Sequence, residues 1–186
     1  AGIKVDKGAK AIAGSSQEMT TEGLDGLRER LDEYREMGAR FTKWRGVITI
    51  GDGTPSSYCI EVNAHALARY AALSQEAGLV PIVEPEVLMD GDHSIERCFE
   101  VNEATLREVF LQLSRQGVVL EGALLKPNMV LSGGQATGRA GPEEVAERTL
   151  ACFQRAIPAA LPGILFLSGG QSDDEATVNL NAINKL

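Results

Sequence analysis

Polar residues close short apolar runs at Lys4, Lys43, Glu84, Lys126 and Ser168, in steps of 39, 41, 42 and 42 residues. Such a regular spacing confines the chain to a repeating supersecondary unit. The intervals identify that unit. Residues 22–37 set Leu24, Leu27, Leu31 and Tyr34 on one helical stripe, ahead of Gly38 as a C′ residue. Thr54 followed by Pro55 reads as the N-cap and first position of a helix to about Ala77, with Gly78 after it. Ser94 opens a helix to about Gln116, and Pro142 one to about Ala156. Asp173, Asp174 and Glu175 put carboxylates on the first turn of a last helix, where the dipole favours them. Runs of strand type at residues 3–6, 41–50, 79–84, 123–126 and 164–167 alternate with these helices.

Strand alternating with helix implies parallel strands in an α/β fold. Two architectures satisfy this. One is a TIM (β/α)8 barrel, with its site at the C-terminal strand ends. The other is an open doubly wound sheet, with its site at a switch point. All five runs end in polar groups, which favours the barrel. Side chains alternate faces along a strand. Counting in twos puts Lys4/Asp6, Lys43/Arg45, Glu84/Glu86, Lys126/Asn128 and Ser168/Gly170 on one face, and Val5, Trp44, Val83, Leu125 and Leu167 on the other. The polar face would line the barrel near its mouth, and the apolar face, Trp44 included, would pack on helices. Five strands where a barrel needs eight set a further expectation. Residues 1–186 would be a single incomplete barrel domain, an internal stretch of a longer chain.

The net charge of −8 weighs against a nucleic-acid or anionic-membrane partner. No apolar run approaches the ~18 residues that span a bilayer. Cys59, Cys98 and Cys152, odd in number and far apart, suit a reducing compartment, so a cytoplasmic location is expected. With only His65 and His93 and no spaced His/Cys set, neither a metal nor a cofactor is expected. His65 reads as structural within a helix, and His93 as a loop residue placed to cap the next one.

Neighbouring strands lie about 4.8 Å apart, so Lys43, Glu84 and Lys126 can converge on one small volume. A lysine crowded by cations and partly removed from water has its charged form disfavoured. The neutral amine attacks a carbonyl and gives an imine. The protonated imine is an electron sink, and the bond beyond the α-carbon can break. Glu84 can move protons as the imine forms and hydrolyses. Lys4, Lys43, Arg45 and Lys126 form a cationic mouth on an acidic protein, which points to a phosphorylated substrate. Ser168-Gly169-Gly170-Gln171-Ser172, between a strand and a helix, offers backbone N–H groups to an oxyanion. Taken singly, each residue has a plainer role: Lys126 as a solvated strand end, Glu84 or Glu86 as a salt-bridge partner, Lys4 or Arg45 as a structural clamp. Asp6 and Asn128 read as hydrogen-bonding residues of the mouth. The constellation carries the chemistry.

Gly2-Ile3-Lys4-Val5-Asp6-Lys7-Gly8, Lys43-Trp44-Arg45, Pro81-Ile82-Val83-Glu84-Pro85-Glu86, Asp90-Gly91-Asp92-His93, Leu125-Lys126-Pro127-Asn128-Met129 and Phe166-Leu167-Ser168-Gly169-Gly170-Gln171-Ser172 resemble class I fructose-1,6-bisphosphate aldolase, in that family's order. Asn179-Leu180-Asn181-Ala182-Ile183-Asn184 also resembles it. The resemblance covers essentially the whole chain and numbers the strands three to seven. It implies a lyase that splits fructose 1,6-bisphosphate through a lysine Schiff base, in glycolysis and gluconeogenesis. It gives Lys126 the Schiff base, Glu84 the role of proton acceptor, and Lys43 assistance in proton transfer. It places Lys4 and Arg45 near the second phosphate, and Ser168 and Gly169 on the C1 phosphate. Glu86 would orient the lysine network. It also implies a homo-oligomer, commonly a tetramer.

The family's aspartate on the first strand, its Tyr-Gly-Arg arginine on the eighth and its tail tyrosine have no counterpart among these residues. This sets the expectation that the stretch alone does not form the complete site. Two other readings stay open: a different Schiff-base lyase acting on a keto acid, and a non-catalytic fragment serving as a binding or structural module.

Overall fold

The computed structural model describes residues 1–15 and 17–186. In chain order the elements are β1 (Gly2–Lys4), β2 (Ala9–Ala11), β3 (Met19–Thr21), α1 (Leu27–Glu36), β4 (Phe41–Ile48), α2 (Ser57–Glu76), β5 (Val80–Val87), α3 (Ile95–Arg115), a 3-10 turn (Leu120–Gly122), β6 (Leu124–Leu125), α4 (Pro142–Ala156) and α5 (Asp173–Ile183). Four strands form one sheet in the order β1-β4-β5-β6, and every pairing is parallel. Successive helices pack as neighbours, α1 on α2, α2 on α3, α3 on α4 and α4 on α5, while α2 lies over β4 and β5. This is the α/β arrangement that the repeat implies.

The alternation of faces is borne out along β4. Trp44 is fully buried and stacks on Tyr70 of α2, with ring centroids 5.5 Å apart. Thr42, also facing the helices, donates its hydroxyl to the Tyr70 oxygen, which in turn donates to the Ile82 carbonyl. This buried chain of hydroxyls ties β4, α2 and β5 together. Desolvation raises the Tyr70 phenol above its usual range, so it stays a neutral donor.

Several boundaries differ from expectation. Helix α1 begins at Leu27 rather than residue 22, because Gly23 and Gly26 have positive φ. Helix α2 is capped by Ser56, not Thr54: the Ser56 hydroxyl accepts from Cys59 N, while the Thr54 backbone pairs with Gly51. Likewise Ser94, rather than His93, caps α3. β5 continues past residue 84 to Val87, because its ladder with β4 stays in register from Phe41↔Val80 to Ile48↔Val87. The run at 164–167 holds only an isolated parallel bridge, Leu125↔Ile164. It still follows β6: Leu165 N donates to Leu125 O and Leu167 N to Pro127 O. Pro127 has no N–H to return, which leaves the pairing one-sided there.

The antiparallel pair β2–β3 has no counterpart in the sequence reading. Its three-residue strands are too short to show alternation. Glu18, just before β3, anchors the pair to α2 by accepting from Ser56 N at 2.6 Å and from its hydroxyl at 3.0 Å.

Candidate active site

Lys43 projects from β4, Glu84 from β5, and Lys126 from the residue after β6. Lys43 and Glu84 lie inside their strands rather than at the ends, because both ladders run on beyond them. The Lys126 backbone N–H donates to Val83 O at 2.8 Å, which places its side chain level with Glu84. The three side chains meet. Lys43 Nζ donates to Glu84 Oε2 at 2.5 Å, and Lys126 Nζ to Glu84 Oε1 at 3.0 Å. The carboxylate is 4% exposed, and the lysines are 26% and 28% exposed. One buried anion therefore holds two ammonium groups that still face the mouth.

Arg45, two residues beyond Lys43 and on the same face, pairs with Glu86. Its hydrogen bond to Glu86 raises the guanidinium above its usual range against the opposing effect of burial. Glu86 thus engages the arginine, and among the described residues it has no hydrogen bond or ion pair to a lysine. Lys4 Nζ donates to Asp6 Oδ1 at 2.5 Å. Lys4 and Lys43 are register partners across β1 and β4.

Ser168 and Gly169 lie in a separate loop. Gly169 and Gly170 have φ of +63° and +89°, and Gln171 N donates back to Ser168 O at 3.2 Å. Positive φ at both central positions is the signature of a type I′ turn, which favours a glycine pair. The buried Gln171 amide holds the turn from beneath: Nε2 donates to Ser168 O, and Oε1 accepts from Asn179 of α5. The Ser172 hydroxyl caps α5 by accepting from Glu175 N. No hydrogen bond joins Ser168 to the lysine cluster among the described residues. Asn128, two residues beyond Lys126, lies beside the loop. It is buried, its Oδ1 accepts from Val87 N at 2.8 Å, and a Cβ on Gly169 would lie 3.6 Å from its own.

Asp6 and Asn128 are the hydrogen-bonding residues expected at the mouth, whereas the support from Gln171 had no counterpart in the sequence reading. Parity placed the first two on the right face, but apart from Lys4 their partners are backbone groups that no side-chain pattern reveals. Met89 left no signal: its methyl group fits between Gly134 and Gly170, where added Cβ atoms would approach it at 3.6 and 3.3 Å. The cysteines are poor nucleophiles. Burial pushes the Cys59 and Cys98 thiols up to about 11 and Cys152 to about 12.

A parallel βα sheet with two lysines sharing one buried carboxylate defines a lysine-centred α/β protein. A family model described as fructose-bisphosphate aldolase class-I matches residues 1–186, and the chain belongs to that family. It is 62% identical over 185 residues to a probable class 1 fructose-bisphosphate aldolase of Xanthomonas campestris pv. campestris, covering 100% of this chain and 55% of that protein. It is 56% identical over 185 residues to cytosolic fructose-bisphosphate aldolase 4 of Arabidopsis thaliana, covering 100% of this chain and 47% of that one. A solved structure of fructose-bisphosphate aldolase from Plasmodium falciparum, in complex with TRAP and a small-molecule inhibitor, superposes with a TM-score of 0.96 at 52% identity, covering 98% of this chain and 53% of that chain. The chain spans about half the length of the curated relatives it matches. The fold is that of about five βα units of a TIM barrel. No helix is long and apolar enough to cross a membrane among the described residues.

Proposed function

We propose that the full-length protein carrying this chain cleaves fructose 1,6-bisphosphate reversibly into dihydroxyacetone phosphate and glyceraldehyde 3-phosphate, through an imine on Lys126. The observation that carries this reading is the Glu84 carboxylate shared between Lys43 and Lys126. The neutral Lys126 amine attacks the C2 ketone. The proton that the Lys126 ammonium gives up to become the neutral amine goes to the C2 oxygen and makes it a hydroxyl; Glu84, one hydrogen bond from Nζ, takes up a second proton from the attacking nitrogen and returns it to that hydroxyl, which leaves as water. The iminium accepts the electron pair released when C3–C4 breaks. The C4 hydroxyl gives its proton to a base, for which the family's first-strand aspartate is the candidate, and the C4 aldehyde departs. The enamine is protonated at C3, and water hydrolyses the imine to release dihydroxyacetone phosphate and the free amine. Lys43 steadies Glu84 from its other oxygen and assists these proton transfers. Ser168 and Gly169 hold the C1 phosphate, and Lys4 and Arg45 the C6 phosphate, with Glu86 supporting Arg45. No metal or cofactor is required.

We read residues 1–186 as part of one barrel domain, and the full-length protein as a cytoplasmic homo-oligomer, a tetramer by its family. Relatives named as cytosolic isozymes support the location. Sedimentation of the full-length protein tests the assembly: a monomer would contradict it. For the activity, the full-length protein is assayed with fructose 1,6-bisphosphate and with keto-acid aldols, with and without a chelator. Cleavage of the bisphosphate that survives chelation is expected. Loss of activity on chelation, or preference for the keto acid, overturns the reading.

A further inference from the structure

Asp6 is a charged group that the mechanism leaves unused. Its side chain is 2% exposed. A carboxylate taken so far out of water is tolerated only when its lone pairs are filled. Here three donors fill them: Lys4 Nζ at 2.5 Å and Gly8 N at 3.0 Å on Oδ1, and Arg45 N at 3.2 Å on Oδ2. Two of the three donors belong to the residues proposed above for the C6 phosphate. Asp6 has no hydrogen bond to Lys43, Glu84 or Lys126 among the described residues.

We propose that Asp6 is a positioning residue that sets the preference for a ketose carrying two phosphates over one carrying a single phosphate, by holding Lys4 and the Arg45 backbone together at the mouth. This rests on the reading of the site given above. The Lys4 side chain is 51% exposed, and a lysine so placed keeps most of its rotamer freedom unless a partner restrains it. Asp6 supplies that restraint. Its second oxygen fixes the β4 backbone at Arg45, while Glu86 holds the guanidinium. The two cations therefore share one buried anchor across β1 and β4. A ketose phosphorylated only at C1 engages the Ser168 loop and needs neither of them.

The test compares Asp6→Asn with the parent, both as full-length protein, on fructose 1,6-bisphosphate and fructose 1-phosphate. Asparagine keeps an oxygen for a backbone amide but loses the charge that restrains Lys4. KM for the bisphosphate is expected to rise about tenfold, with kcat and both constants for the monophosphate changed less than about twofold. The kcat/KM ratio between the two substrates would then fall about tenfold. An unchanged ratio, or equal impairment on both substrates, overturns the proposal. Should D6N be recovered only unfolded, Asp6→Glu, which keeps the charge but moves it one methylene away from its fit to Lys4 and Arg45 N, carries the test: a lower ratio is expected, and the parental ratio overturns the proposal. A parent that cleaves neither ketose removes the underlying reading. A parent that cleaves both, beside a variant with the parental ratio, removes this inference alone.

Discussion

Replacing Glu84 by glutamine removes one negative charge from the point where two ammonium groups are anchored. Its oxygens lie 2.5 and 3.0 Å from Lys43 and Lys126 Nζ. At an effective dielectric of about 20, opposite unit charges about 4 Å apart attract by about 4 kcal/mol. Much of that gross attraction is offset by taking the carboxylate, 4% exposed, out of water. Breaking a fully buried pair from one side costs about 3–5 kcal/mol. Both lysines here are about a quarter exposed and can turn to solvent, so a net loss of about 2 kcal/mol is expected for E84Q. Urea unfolding of the full-length protein should show it as a lower midpoint at unchanged slope. On the proposed mechanism the same change also removes the proton carrier beside Lys126. Borohydride trapping of the triose adduct should slow by about 10²–10⁴-fold. A variant with the parental midpoint would refute the anchoring argument, and one with the parental trapping rate would refute the proton-transfer role.

Gly169→Ala forces a side chain onto a residue at φ +63°, with its Cβ 3.1 Å from Leu167 Cδ1. A cost of about 1–2 kcal/mol is expected, with a higher KM for substrates phosphorylated at C1, measurable by steady-state kinetics. His93 supplies a pH dependence. Burial, its largest cause, lowers the folded imidazole below its usual value; Arg97 adds to this and Asp92 opposes it. The unfolded chain therefore takes up the proton first. The His93 contribution is fully present above about pH 6.5 and is lost as the pH falls through the lowered folded value. His93→Gln should flatten the acid side of a plot of stability against pH, and an unchanged curve would contradict the assignment.

The β/α alternation and the inward face were legible because both rest on periodicity. Lys4, Lys43, Glu84 and Lys126 share their strands with alternating apolar residues, and parity alone puts Trp44 against the helices. Strand ends were less legible. Pairing set them, not composition: β5 reaches Val87 because β4 lies beside it in register, and the run at 164–167 loses a ladder partner to Pro127. The candidate site was legible as residue types but not as pairings. Nothing in the sequence assigns Glu86 to Arg45, since the choice depends on side chains reaching diagonally between strands. The hub at Asp6 and the Gln171 support were invisible for a similar reason: most of their partners are backbone N–H and C=O groups, which every residue carries.

Lys126 is the proposed nucleophile. Full-length protein incubated with dihydroxyacetone phosphate and borohydride, then digested and mapped by mass spectrometry, tests it directly. A triose phosphate adduct on Lys126, absent without substrate and absent in Lys126→Arg, is expected. An adduct on Lys43, or none on any lysine while the ketose is still cleaved, would contradict it.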